Sequence, residues 1–80
     1  MTVYLVYWCN NESWEDYYVS VDAVFATREG AERYILGNGY KPHVCVNEWE
    51  KRNMAGRYDS EPDEFGEYDS MWVREMEVGE

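Results

Sequence analysis

Positive charge is scarce in this chain: seven Lys and Arg stand against seventeen Asp and Glu, giving a formal net charge of −10, with one histidine. A surface of that sign repels phosphates, which argues against direct, phosphate-led binding to nucleic acid or an anionic membrane and favours a basic partner. Cysteine is also sparse. Cys9 and Cys45 lie far apart and outside any CxxC or Cys/His ligand spacing, so neither a disulfide framework nor a closed zinc site can be read from them. Two free thiols in a reducing compartment are the expectation. No apolar run approaches the roughly 20 residues of a membrane-spanning helix. The N-terminal apolar run lacks a basic flank and carries Tyr and Trp, so it reads as a strand rather than a signal peptide. A soluble cytoplasmic protein is expected.

What the chain has in excess is aromatic side chains: eight Tyr, four Trp and two Phe in 80 residues. A domain of this size hides only about 60% of the surface its unfolded chain exposes, too little to bury them all. The surplus Tyr and Trp therefore sit half-exposed at sheet margins or form a contact surface.

A change of rhythm at Val19 to Leu36 organises the rest. Val19, Val21 and Ala23 alternate with Ser20 and Asp22, as on a half-buried strand. Thr27 then stands as a helix cap, and Ala31, Tyr34 and Ile35 recur on one helix face. The helix is predicted over Arg28 to Leu36, ending at Gly37-Asn38-Gly39. Upstream, Thr2 to Trp8 is apolar on both faces and reads as a central strand. It is joined through the Cys9 to Ser13 turn to a second strand starting near Trp14 and bending near Asp22. After a turn at Tyr40-Lys41-Pro42, the segment His43 to Gly56 is open to two readings: Val44, Cys45 and Val46 could form a brief strand, whereas Asn47 followed by Glu50 resembles a capping box and favours a short helix to about Asn53. Asp59 to Asp69 holds six acids and no base and reads as a loop, and a last strand runs from about Tyr68 to Val78. The expectation is a single α+β domain over residues 1–80, a three-stranded antiparallel sheet with one packed helix (β-β-α-β) and a long charged insertion at 41–69.

The ordered segments TVYLVYW, VFATREGAERYI and MWVREMEV resemble a group of small uncharacterised bacterial and phage proteins. These share a VYLVY-like first strand, a V-F-[ST]-[ST]-x-E-x-A-E-x-[YA]-I strand-to-helix junction and a closing strand that opens on Trp and alternates Glu with apolar residues. The likeness covers Val3 to Tyr7, Val24 to Ile35 and Trp72 to Val78, about a third of the chain. It implies the fold and a phage or mobile-element origin, hence a host cytoplasm, and brings no catalytic residues. The segment Lys41 to Asp69 departs from the pattern.

Catalytic constellations are thin. His43 and Cys45, two apart, could share a strand face, but no oxyanion turn or third partner accompanies them, and the carboxylates are too numerous to single out a pair. Asp59-x-Glu61-x-Asp63 copies the start of a calcium loop and then fails, with Glu64 at the glycine position and Ser70 at the twelfth. A non-enzymatic protein without metal or cofactor is expected. The stretch that draws attention is the acidic loop with its embedded aromatics: Glu61, Asp63, Glu64, Phe65, Glu67, Tyr68 and Asp69, with Trp14, Glu15 and Asp16 as a second patch. Aromatics among carboxylates can anchor in an apolar pocket while the charges complement surrounding Lys and Arg. The reading is an inhibitor or modulator of a basic host protein, such as a nucleic-acid-binding factor or defence nuclease, in its sharper form a nucleic-acid mimic. The alternatives are an aromatic-led adaptor for a non-nucleic-acid host factor, such as division or proteolysis machinery, and an RNA binder using sheet aromatics. The free edges of a three-stranded sheet would also admit a homodimer.

Overall fold

The computed structural model describes residues 1–12 and 14–79, with Trp14 described by its backbone only. Strand β1 (Thr2–Cys9) pairs antiparallel along its length with two others. On one side lies β2 (Val19–Phe25); on the other lies the C-terminal strand β5 (Ser70–Glu77), in register from Thr2↔Glu77 to Cys9↔Ser70. An interior strand must be apolar on both faces, and β1 is. Between β2 and β5 the chain forms α1 (Arg28–Gly37), β3 (Lys41–Pro42), α2 (Glu48–Asn53) and β4 (Arg57–Asp59).

One face of the sheet carries α1. Thr27 caps it, its hydroxyl accepting from the Gly30 N–H at 3.0 Å, and Asn38 with Gly39, at φ 89°, closes it. Ala31 and Ile35 project from α1 and are fully buried against Val6 of β1 and Met71 of β5. Tyr4, Trp8, Phe25, Tyr34, Tyr40 and Tyr58 surround this core, which absorbs much of the aromatic excess. On the opposite face Tyr7 stacks on its cross-strand neighbour Trp72, with ring centroids 5.8 Å apart and planes 8° from parallel. Asp22 is the extra residue of a bulge: Val6 pairs with Ala23 but Tyr7 with Val21. The freed carboxylate accepts the Tyr34 hydroxyl, tying β2 to α1 at the predicted bend.

The expected three-stranded sheet with one helix is overturned. The sheet has five strands in the order β2-β1-β5-β4-β3, and the described residues hold two α-helices. The additional strands lie inside the region expected to be a charged insertion: Lys41 and Pro42, expected in a turn, form β3, and Asp59 belongs to β4 rather than to a loop. At two and three residues they are too short to show alternation; what makes them strands is pairing with β5 and with each other. The second strand also starts later than expected, at Val19, and Trp14–Asp16 form a 3-10 turn. The Asn10 side chain accepts from the Glu12 and Tyr18 N–H groups, so side-chain bonds close this loop before the ladder begins.

Replacing Ile35 by Ala is expected to lower stability by roughly 2–5 kcal/mol through loss of contacts and a residual cavity. Thr27→Ala should cost about 1 kcal/mol through the lost cap. Val24→Ala, at a side chain 56% exposed, should stay within about 0.5 kcal/mol of the parent. Urea denaturation of the three variants measures this order, and an Ile35→Ala cost no larger than that of Val24→Ala would place the core elsewhere.

Candidate partner-binding surface

The acidic loop is a continuation of the β4–β5 hairpin. Ser60 N–H donates to the Asp69 carbonyl at 2.9 Å, and Asp69 N–H returns to the Ser60 hydroxyl at 2.9 Å, so the ladder extends one step past Asp59↔Ser70. At the tip, one Asp63 carboxylate oxygen accepts from the N–H groups of Phe65 (2.8 Å) and Glu67 (3.0 Å). Gly66, at φ 78°, donates to the Asp63 carbonyl at 3.0 Å. This is an aspartate-centred turn in which the carboxylate replaces a strand partner. Its effect is to display Phe65, 79% exposed, between the exposed Glu64 and Glu67, with Glu61 on the approach.

The acids of this loop divide into two groups. Glu61, Glu64 and Glu67 are at the surface, Glu61 lying 4.0 Å from Lys41. Asp63 is occupied by its own turn. Asp69 points inward: its carboxylate accepts from the Trp8 indole and, at 2.5 Å, from the Tyr40 hydroxyl. Burial opposes ionisation there, but donors from Ser60, Tyr40 and Trp8 outweigh it and hold the Asp69 carboxyl below its usual range. Burial and that same bond push Tyr40 up to about 12, so it remains a hydrogen donor. Tyr68 is half-buried, its carbonyl accepting from the Asn11 side chain at 3.0 Å.

Asn11 joins the two patches. At φ 57°, in the left-handed region that asparagine tolerates, it reaches from the first hairpin to the Tyr68 carbonyl and, at 2.8 Å, to the Ser70 hydroxyl. Exposed Glu12, Glu15 and Asp16 thereby lie at the same end of the sheet as the acidic loop. A cleft of about 290 Å³ between Asn10, Asn11 and Glu12 on one side and Gly66, Glu67 and Tyr68 on the other marks the seam. The Trp14 side chain lies outside the described residues.

A third part of the surface was not signalled by charge. Val44 and Val46 are each 76% exposed and Trp49 is 65% exposed, all on the segment leading into and through α2. α2 buries none of its own residues. The alternation Val44-Cys45-Val46 was the available clue: Cys45 faces inward, its thiol donating to the Glu50 carbonyl at 3.6 Å, and both valines face out.

What holds this segment in place is polar. The His43 ring sits between two carboxylates, Nδ1 at 2.5 Å from Asp59 and Nε2 at 2.7 Å from Glu50, with only 11% of its side chain exposed. Asp59 also accepts the Ser70 hydroxyl at 2.8 Å, and Asn47 caps α2 while its amide reaches Glu50 at 3.2 Å. The hydrogen bonds to Asp59 and Glu50 raise the His43 pKa above its ordinary value despite burial, favouring an imidazolium that donates from both nitrogens. Ser70, Asp59 and His43 carry the chemical groups of a hydrolase triad, but the connections differ. The serine donates to the aspartate, and both imidazole nitrogens are already engaged, so His43 has no nitrogen with which to activate Ser70 or Cys45. The calcium-like carboxylates are likewise dispersed, Asp59 to His43, Glu61 to Lys41 and Asp63 to its own turn.

Geometry and fold thus define a small α+β sheet protein with an acidic, aromatic-tipped end. Comparison with protein-family models, with curated proteins and with solved structures returned no match. Among the described residues no helix is long and apolar enough to cross a membrane.

Because the His43 pKa is raised on folding, its stabilisation is fully present below the ordinary value of about 6.5 and is lost as pH rises through the folded value. Amide exchange, corrected for its intrinsic pH dependence, should show protection of residues 43–58 falling over that alkaline range relative to β1. His43→Gln, which cannot titrate, should abolish this pH dependence; an unchanged profile in the variant would assign the effect to another group.

Proposed function

We infer that the protein acts without catalysis, as a small acidic protein that binds a basic surface of another protein and inhibits or modulates it. The observation that carries this reading is Phe65, held 79% exposed at the apex of an ordered turn and flanked by Glu61, Glu64 and Glu67. Displaying a phenylalanine in water is unfavourable for an isolated chain, whereas in a complex an aromatic anchor can enter a pocket while carboxylates engage the surrounding Lys and Arg. Glu12, Glu15 and Asp16 at the same end extend the negative field. Such a field resembles that of a nucleic-acid backbone, so the preferred partner is a host protein with a phosphate-binding groove. The likeness of the strand pattern to small phage and bacterial proteins agrees with a role of this kind in the host cytoplasm.

A second reading is favoured by Val44, Val46 and Trp49, whose exposure is independent of the acidic loop. In that case the contact is apolar and led by α2, and the partner need not bind nucleic acid.

Affinity capture from a bacterial lysate separates the two. The variants are Glu61→Gln with Glu64→Gln and Glu67→Gln, Phe65→Ser, and Trp49→Ser; Asp63 is left intact because it builds the turn. On the first reading the triple amide variant releases its partner at lower salt, Phe65→Ser weakens binding by about thirtyfold or more, and the captured protein is displaced from its nucleic acid. Capture insensitive to salt and to these changes but abolished by Trp49→Ser would overturn the first reading in favour of the second.

A further inference from the structure

One face of the sheet is covered by α1 and the other is open. Val6 and Met71 point to the helix, so alternation turns Leu5 and Tyr7 of β1, and Trp72, Arg74 and Met76 of β5, to the far side. The register adds Val24 opposite Leu5 and Val21 opposite Tyr7 on β2. Val24, Val21 and Met76 are 56%, 49% and 39% exposed, as side chains with little packed over them are. In a chain of net charge −10, this face receives no acid from the three long strands. Glu75 and Glu77 pair with Tyr4 and Thr2 on the helix side, and Asp22 is turned to Tyr34 of α1. The one charge those strands place on the open face is that of Arg74.

Two molecules of this charge can approach closely only through a patch free of acids, and the open face is such a patch. The sheet edges are poorly suited to pairing: β2 is interrupted by the Asp22 bulge, and β3 is two residues long and contains Pro42. Eight residues at about 3.3 Å and three strands at about 4.8 Å give the face a footprint of roughly 370 Å² before side-chain relief. Arg57, lying over Trp72, and Tyr17, beside Cys9, widen it. That is the low end of what holds a dimer, so a micromolar contact is expected rather than a tighter one. Charge also selects the orientation. Asp16 stands at the Cys9 end of the face, its carbonyl accepting from the Asn10 side chain at 2.5 Å, with exposed Glu15 beside it. A dyad along the strands would set these acids, and both acidic loops, against their copies. A dyad across the strands sets opposite ends together. Placed at the Tyr7–Trp72 stack, it carries Arg74, two residues from Trp72 toward the Thr2 end, to the level of Ser70 and Cys9 in the second copy, beside which Asp16 stands. Stacked sheets lie about 10 Å apart, a gap that an arginine and an aspartate side chain together span.

We propose that the open sheet face forms a two-fold dimer, with Tyr7, Trp72, Val21 and Val24 of each copy packed face to face about the dyad and Arg74 of each reaching Asp16 of the other. The acidic loops then lie at the two outer ends of the dimer. Phe65 stays free there, so dimerisation and the partner reading stand or fall independently.

The test is sedimentation equilibrium of the full chain at about 5 to 500 µM in roughly 0.15 M salt. The average mass should rise from that of one chain toward that of two, with a Kd of about 100 µM or below. Val24→Glu would bury an unpaired charge in the contact and should weaken association by about tenfold or more. Arg74→Glu should do the same, and adding Asp16→Arg to that chain should restore much of the loss. Phe65→Ser and Trp49→Ser should change nothing. The amide spectrum of each variant reports whether it is folded, and Met76→Glu takes the place of Val24→Glu should that variant fail. A monomer throughout the range would overturn the proposal, as would a dimer indifferent to Val24→Glu and Arg74→Glu or one abolished by Phe65→Ser or Trp49→Ser. Failure of Asp16→Arg to restore association would overturn the dyad across the strands.

Discussion

Pairing of the first strand with the last is the constraint on which the architecture depends. Every residue of β1 from Thr2 to Cys9 has a partner on β5, and from Tyr4 onward β1 is paired with β2 on its other side as well. A strand held on two edges has only its two faces left to bury, and the sequence TVYLVYW is apolar on both. Once β1 and β5 are paired, everything between them must leave the sheet and return to it. The first departure, β2 with α1, comes back by burying Ala31 and Ile35. The second, residues 41–69, contributes no fully buried apolar side chain and must be attached in another way.

It is attached through polar groups at buried and half-buried positions. His43 is gripped by Asp59 and Glu50, Ser70 donates to Asp59, and Asp69 gathers the indole of Trp8 and the phenol of Tyr40. Directional bonds of this kind fix orientation more than they stabilise, because the net gain over hydration is small while an unpaired buried charge is costly. The apolar side chains of the excursion are then free to face outward, which explains how Val44, Val46, Trp49 and Phe65 are displayed on an ordered framework. The surplus of aromatics divides accordingly among the core, the Tyr7–Trp72 stack and this surface.

Of the site, the acidic composition and the position of Phe65 were legible in the sequence, but the division among its acids was not. Asp63 and Asp69 are the same residue type as neighbours that face solvent, and only long-range partners turn one into a turn-builder and the other into an internal acceptor. The outward display of Val44, Val46 and Trp49 was not legible, because the capping signal at Asn47 marks a helix without saying whether that helix has anything to pack against.

Local chemistry by itself determined β1 with its two apolar faces, the bend at Asp22, the capped helices α1 and α2, and the closing strand. In each of these, residues within one or two turns or a few strand positions supply the whole signal. Tertiary structure alone decided that the sheet has five strands. β3 and β4 are too short for periodicity to reveal, and they exist as strands because β5 offers β4 a free edge and β4 offers one to β3. It also decided which charges face inward, because a carboxylate's role is set by the donors that the fold brings to it.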